Sequence, residues 1–323
     1  MSNNVLDLFC GAGGLSEGFK QSGYNIIAGV DNTEKFLKTF KENHKNSKSI
    51  KANLFEKSPK ELLEENNIDK NNIDIIIGGP PCKGFSFAGE RDPNDKRNNL
   101  VDRFIDFVDF IKPNAVVMEN VPGILSMKNG KVVDTIINRL NKNYNTKYKT
   151  LNSAEYGVPQ IRKRVIFIGF KNKNPNNYHP KITHSEERID LPNYITVGDA
   201  LLSRKIINNI ENLSNQEKIN HSDDMIKRMG EVKSGDSLYD SYTESYKRLT
   251  INKPSHTIKN SHMAPFIHPI KNRVGTVREC AILQSFPNNF KFCSSRSSQY
   301  EQVGNAVPPL LAKKIADKIR KIL

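Results

Sequence analysis

The chain has 323 residues, enough for a sizeable core in one or two domains. Its 49 Lys+Arg against 35 Asp+Glu leave a formal net charge of +14, which points to a polyanionic partner, most economically nucleic acid, although a membrane surface or plain solubility also fits a basic balance. No apolar run approaches the roughly 20 residues that span a bilayer, and the four cysteines (Cys10, Cys82, Cys280, Cys293) show neither metal-ligand spacing nor a disulfide framework. The expectation is a reducing, cytoplasmic setting with no leader, no membrane and no metal.

Val5 to Phe9 reads as a first strand, and it enters the turn Cys10-Gly11-Ala12-Gly13-Gly14 ahead of a helix. A glycine-rich turn in that place lets a nucleotide-like ligand lie against backbone, a logic shared with NAD sites, where it holds a pyrophosphate. Asn25 to Val30 is a second strand ending at Asp31. An acidic residue about 20 positions past the glycines suits two ribose hydroxyls, or else caps the helix Thr33 to Phe40. Ser49 to Ala52 is a short third strand, followed by Asn53.

Ile73 to Ile77 is a β-branched run of the kind buried on both faces of a sheet. It runs into Gly78-Gly79-Pro80-Pro81, in which glycines permit close approach and prolines fix φ, and the next residue is Cys82. A thiol at the carboxyl end of a buried strand is a candidate nucleophile once deprotonated; the plain alternative is a small buried hydrophobe. Lys83 to Asn99 is polar and glycine-bearing, which predicts a long mobile loop able to close over a substrate. Apolar residues at 100, 101, 104, 105, 108 and 111 predict an amphipathic helix ended by Pro113.

Ala115 to Met118 is the next strand, and it delivers Glu119 to the same sheet edge as Cys82. A glutamate there is costly unless partnered or abnormally titrating. Arg139 to Lys173 then carries nine basic residues against one acidic, Glu155. Within it Arg162 and Arg164 precede or open the strand Val165 to Phe170, and alternation predicts that they share one face. After Lys171 the pattern dissolves among Pro175, Pro180 and Pro192, and strong patterning returns only at Val274.

Pro80-Pro81-Cys82 with Phe85-Ser86 resembles the catalytic motif of the C5-cytosine DNA methyltransferases. Further motifs of that family follow in order from Leu6 to Pro309: Glu119-Asn120-Val121-Pro122, Gln160-Ile161-Arg162-Lys163-Arg164, Arg273 to Pro287, and Tyr300 to Pro309. The resemblance implies an α/β fold, with a doubly wound, Rossmann-like S-adenosylmethionine-dependent methyltransferase domain and a smaller, mostly irregular target-recognition domain. It implies boundaries at 1–179 for the catalytic domain, 180–271 for target recognition, and 272–323 for a segment returning to complete the catalytic domain.

By the same resemblance Phe9, Gly11, Gly13, Leu15, Asp31, Asn305 and Ala306 hold S-adenosyl-L-methionine. Asn53 stands where the family has an aspartate that accepts from the adenine amino group; its amide oxygen can still accept, without charge. Cys82 is the nucleophile, Glu119 the general acid, and Arg162 and Arg164 bind the cytosine and support the glutamate. Lys83 departs from the glutamine usual after the cysteine. Ser86 and Arg97 match positions facing the DNA backbone, Arg97 being equally readable as a solvated loop charge. Within the recognition segment, Lys233 to Ser237 and Arg248 to Thr257 are candidate base readers, with Arg248 and Thr257 at the ends of the second.

The implied substrate is double-stranded DNA, met by a monomer that acts with a cognate restriction endonuclease in the same system. A tRNA-directed branch of the superfamily shares these motifs, but its Cys-Phe-Thr signature is absent from the sequence. An NAD oxidoreductase would account for the glycines and not for Pro80-Pro81-Cys82 or Glu119. A catalytically dead DNA-binding relative would not be expected to keep every catalytic residue.

Overall fold

The structure is a computed structural model, and it describes residues 3–81, 100–203, 212–240, 245–259 and 265–323. The strands are β1 (Asn4–Leu8), β2 (Asn25–Asp31), β3 (Lys48–Lys51), β4 (Ile75–Gly78), β5 (Ala115–Asn120), β6 (Asn145–Asn152) and β7 (Lys163–Phe170). They form one sheet in the order β3-β2-β1-β4-β5-β7-β6. The pairs from β3 to β5 are parallel, and β7 runs antiparallel to β5. All four residues of β4 are buried, as a strand covered on both faces requires.

Helices α1 (Gly14–Gln21), α2 (Glu34–Asn43), α3 (Pro59–Glu65), α4 (Leu100–Ile111) and α5 (Lys131–Leu140) connect these strands. Each starts or packs for a local reason. Ser58 and Glu61 form a reciprocal cap on α3, with Pro59 at its first turn. Along α4 the residues Val101, Phe104, Ile105, Val108 and Ile111 recur at helical spacing and all are buried, each worth about 1.5–3 kcal/mol against exposure. From β1 the chain winds outward through β2 to β3, then returns to place β4 on the other side of β1. The strand order therefore reverses between β1 and β4, and a doubly wound sheet opens its ligand crevice at the carboxyl ends of such a pair.

The chain divides into two compact units, one of 1–151, 163–181 and 312–323, the other of 152–162 and 182–311. The second contains α6 (Val197–Leu201), α7 (Asp223–Glu231), α8 (Val277–Leu283) and α9 (Arg296–Asn305). Much of its order comes from buried polar side chains. Arg278 donates to the carbonyls of Ser214 (2.9 Å) and Pro287 (3.1 Å), Tyr300 donates to the Gly275 carbonyl at 2.7 Å, and Arg273 grips Glu279 at 2.7 and 2.8 Å.

Pro308 and Pro309 separate α9 from the C-terminal helix α10 (Pro309–Arg320). Residues of α10 from 312 onward belong to the first unit, where Arg320 lies 4.7 Å from the Tyr24 ring and Ser22 bonds Asp317. Among the described residues no helix is long and apolar enough to cross a membrane, and no group of three or more His, Cys, Asp or Glu residues is placed to hold a metal ion.

Candidate active site

The crevice at the β1/β4 switch point is built from two glycine-bearing turns of the first unit. The first follows β1. Phe9 (φ 58°), Gly11 (φ 54°) and Gly13 (φ 91°) all take left-handed backbone, so the turn reverses within five residues. Cys10 N–H donates to the Val30 carbonyl at 3.0 Å and Gly13 N–H to the Cys10 carbonyl at 2.8 Å. Asp31, at the end of β2, ties the turn down: its Oδ2 accepts from Gly11 N–H at 2.9 Å and its Oδ1 from Thr33 N–H at 2.8 Å. Burial raises the Asp31 pKa above the usual carboxylate range, and these backbone N–H groups oppose that rise.

Asp31 is thus not the side-chain cap of α2; Thr33 takes the cap position. Each Asp31 oxygen accepts one backbone hydrogen bond and keeps lone-pair capacity, which suits a vicinal diol. Among the described residues, a Cβ at Gly11 would meet no atom within 4 Å beyond its chain neighbours, so the turn presents bare backbone to them on that side. This donor and acceptor set fits a nucleoside-bearing cofactor. Leu15 is 5% exposed and packs inward from α1, whereas Phe9 is half-buried. Asn53 is exposed, and its Oδ1 already accepts from Phe55 N–H at 3.1 Å.

The second turn follows β4. Gly78 stands level with Leu8 of β1 and Met118 of β5 in the ladder. Gly79 comes next, and its position is so close to Glu119 that a Cβ there would lie 3.0 Å from Oε2. Asn120 fixes the proline step, its Nδ2–H donating to the Pro80 carbonyl at 3.1 Å while its Oδ1 accepts from Val121 N–H at 2.9 Å. Glu119 is nearly buried, its side chain 12% exposed, and pairs with Arg164 Nε at 2.8 Å. That contact is an ion pair and not an aligned hydrogen bond, since the Nε–H does not point along it. The costly strand-end glutamate therefore has its partner.

Cys82, Ser86 and Arg97, together with the loop expected from Lys83 to Asn99, lie outside the described residues. Three other expectations are placed by the structure, and two of them need correction. Arg162 precedes β7 and does not share a strand face with Arg164. Its guanidinium is 1% exposed in the second unit, where Nη1 donates to the Ile258 carbonyl (3.0 Å) and Nη2 to the Gly304 carbonyl (2.8 Å). Arg248, expected to read DNA, is 7% exposed and donates to the carbonyls of Val232 (2.8 Å) and His268 (2.9 Å), to Asn272 Oδ1 (2.9 Å) and to the Met229 carbonyl. Those bonds consume its donors, so it organises the backbone around α7. Thr257 is half-buried, with its hydroxyl donating to the Ile161 carbonyl at 2.7 Å.

Asn305 is exposed and Ala306 half-buried at the end of α9. Their segment is held from behind, because Gln284 Nε2 donates to the carbonyls of Val303 (2.9 Å) and Ala306 (3.0 Å) beside the Arg162 bond to Gly304. One buried group escaped the sequence reading. Asp7, 1% exposed on β1, accepts from the Ser16 hydroxyl at 2.6 Å, and burial lifts its pKa to about 7. A charged residue inside the apolar run Val5 to Leu8 was the available signal.

A profile of C-5 cytosine-specific DNA methylases matches residues 3–321. The type II methyltransferase M1.HphI of Haemophilus parahaemolyticus is 36% identical over 337 residues, covering 100% of this chain and 88% of that protein. M.DdeI of Desulfomicrobium norvegicum, also a type II methyltransferase, is 36% identical over 370 residues, covering 98% and 88%. Among solved structures, a DNA modification methyltransferase encoded within an E. coli prophage superposes with a TM-score of 0.84 at 26% identity, covering 99% of each chain.

Proposed function

The chain belongs to the C-5 cytosine-specific DNA methylase family and is a DNA (cytosine-5)-methyltransferase, and from that premise we propose how its residues divide the work. Phe9, Gly11, Gly13 and Leu15 form the cofactor turn, Asp31 takes the ribose hydroxyls, Asn53 faces the adenine amino group, and Asn305 and Ala306 are further cofactor-binding residues. S-adenosylmethionine, when bound, supplies an electrophilic methyl group on a sulfonium.

Cytosine C5 is a poor nucleophile. Addition of the Cys82 thiolate to C6 makes C5 an enamine carbon able to accept that methyl group. Glu119 hydrogen-bonds or protonates cytosine N3 as the adduct forms, which stabilises the developing charge. Arg164 holds the Glu119 carboxylate and reaches O2 of the base. Loss of the C5 proton and then of Cys82 restores the ring. The target must leave the duplex stack for any of these contacts, so the base is flipped. Arg162 acts through the backbone of the Gly304 segment and is a positioning residue. Ser86 and Arg97 meet phosphates, while the segment 180–271 selects the sequence, with Lys233 to Ser237 and Thr257 as its candidate readers. Arg248 is withdrawn from that set. The relatives' type II assignment supports a place in a restriction-modification system beside an endonuclease, with this protein acting as a monomer.

The observation that carries the reading is the Glu119–Arg164 pair lying against Gly79, three residues before Cys82. The test uses duplex DNA carrying 5-fluorocytosine, which cannot lose a C5 proton, in the presence of S-adenosylmethionine. A covalent adduct on Cys82 is expected, absent in Cys82→Ser, together with 5-methylcytosine at a fixed sequence in unmodified DNA. An adduct on Cys10, Cys280 or Cys293 instead would sink the mechanism. Cys10 and Cys280 are poor rivals, being buried with thiol pKa values pushed up by desolvation.

A further inference from the structure

Two aromatic rings stand behind the first glycine turn and do for it what side chains at the glycines would otherwise do. Phe40, in the last turn of α2, is 0% exposed, and His44, just past that helix, is 3% exposed. Their rings stack at 4.6 Å with an interplanar angle of 31°. His44 is fixed by its own backbone as well, its N–H donating to the Phe40 carbonyl at 2.9 Å and its carbonyl accepting from Ser47 N–H at 2.9 Å. The imidazole therefore has little freedom to swing away.

Both glycines that this pair touches are made necessary by it. A Cβ on Gly29 of β2 would lie 2.3 Å from Phe40 Cζ. A Cβ on Gly13 would lie 2.7 Å from His44 Nε2 and 2.9 Å from Phe40 Cδ2. Contacts that short are not tolerated in a close-packed interior, so the rings occupy the volume that the missing Cβ atoms leave. The polar edge of the imidazole is the part turned to Gly13. Burial, with the charge of Lys20 adding to it, lowers the His44 pKa to about 4 against the opposing pull of the Gly13 backbone, so the ring is neutral near pH 7.

We propose that His44, stacked on Phe40, is a positioning residue that locks Gly13 in its left-handed conformation and so sets the shape of the turn on which the cofactor lies. The proposal rests on the assignment of that turn to S-adenosylmethionine. His44 touches no reacting atom; it acts through Gly13. Its removal should leave the chemistry of a saturated enzyme intact and weaken the capture of cofactor.

The experiment measures S-adenosylmethionine binding by calorimetry, and methyl transfer as separate kcat and KM values, for wild type, His44→Ala, Gly13→Ala and the double variant. His44→Ala should raise the cofactor Kd and KM about 10-fold, or about 1.4 kcal/mol, with kcat and the KM for DNA changed less than about twofold. Gly13→Ala should be worse alone than in the His44→Ala background, because the smaller residue removes the atom its Cβ would strike. The relief is partial, since alanine at φ 91° stays strained. Should His44→Ala not fold, His44→Val, which also removes the ring edge from beside Gly13 while leaving an apolar side chain in the core, is read by the same criteria.

Cofactor affinity equal to wild type in folded His44 variants overturns the proposal, as does an identical Gly13→Ala penalty in both backgrounds. A wild-type protein that fails to bind S-adenosylmethionine at all would instead overturn the assignment of the turn, so the two failures are distinct.

Discussion

Gly78 and Gly79 are adjacent, and alanine at each should fail for a different reason. At Gly78 a Cβ would lie 2.2 Å from the Leu8 carbonyl oxygen and 2.9 Å from Phe104 Cε2. The first contact is more than 1 Å inside the 3.4 Å at which ordinary contact begins, and its partner is backbone. Relief requires parting β4 from β1, which would strain a ladder shared with β5. Overpacking of a core costs about 1–3 kcal/mol where side chains can adjust. Here they cannot, so Gly78→Ala should lose at least about 3 kcal/mol, a large share of the roughly 5–15 kcal/mol available to a folded protein.

At Gly79 the close atom among the described residues is Glu119 Oε2, at 3.0 Å. That is the far end of a side chain, and moving it a few tenths of an ångström should change stability by less than about 1 kcal/mol. The proposed acid would nevertheless be displaced. A misplacement of about 1 Å can cost roughly 100-fold in rate, so a smaller shift should cost on the order of 10-fold in kcat. Urea unfolding and single-turnover methyl transfer on saturating DNA separate the two effects. A Gly78→Ala protein with the wild-type midpoint would refute the packing argument. A Gly79→Ala protein with wild-type kcat would remove Glu119 from the reaction, or show that its position is not critical.

Replacing Arg248 by methionine should leave the carbonyls of Val232, Met229 and His268 short of donors and lower stability by about 3–5 kcal/mol, read as a fall in the urea midpoint; an unchanged midpoint with altered sequence choice would restore Arg248 as a DNA reader. The pH dependence of stability should carry the signature of Asp7, which faces Ser16, Asp31 and Cys10 from a buried position. Its pKa is about 7 folded against 3.8 unfolded, so between those values the folded state keeps a proton that the unfolded state has lost, and stability falls as pH rises through the window. Asp7→Asn should match wild type near pH 4 and exceed it by up to about 4 kcal/mol at pH 8; a difference independent of pH, measured by urea unfolding at both values, refutes the assignment.

Much of the catalytic half was legible because its signals are local. The run Ile73 to Ile77 reads as a buried strand, and its strand forms over Ile75–Gly78, ending at the glycine and proline step. The helix Leu100–Ile111 was bounded by its own apolar spacing and by Pro113, and it forms over the expected residues. Glu119 was suspect because a strand-end carboxylate demands a partner, and the ion pair with Arg164 supplies one. Where alternation was carried past the end of a strand it failed. Arg162 lies one residue outside β7, where the pleat no longer dictates direction, so its guanidinium turned to carbonyls. His44 could not be read, since what defines it is contact with a glycine 31 positions earlier and with a ring four positions back.

The same limit bears on charge. A net +14 counts every arginine as if it faced solvent, yet Arg162, Arg248 and Arg278 are buried, with their guanidinium groups on backbone carbonyls. Such residues act as multidentate cross-links within loop-rich structure, a role that five donors in a fixed fork suit and that a lysine could not fill. This explains how a segment with few regular elements is held in one conformation: the hydrogen bonds that helices and strands would have made among themselves are made instead to these side chains. It also shifts the burden of phosphate binding. Counterion release on DNA is set by cations that can reach phosphates, and the buried arginines cannot without dismantling the structure they hold. The positive charge available to DNA is therefore carried disproportionately by exposed lysines, whose point charges position a duplex without reading its sequence.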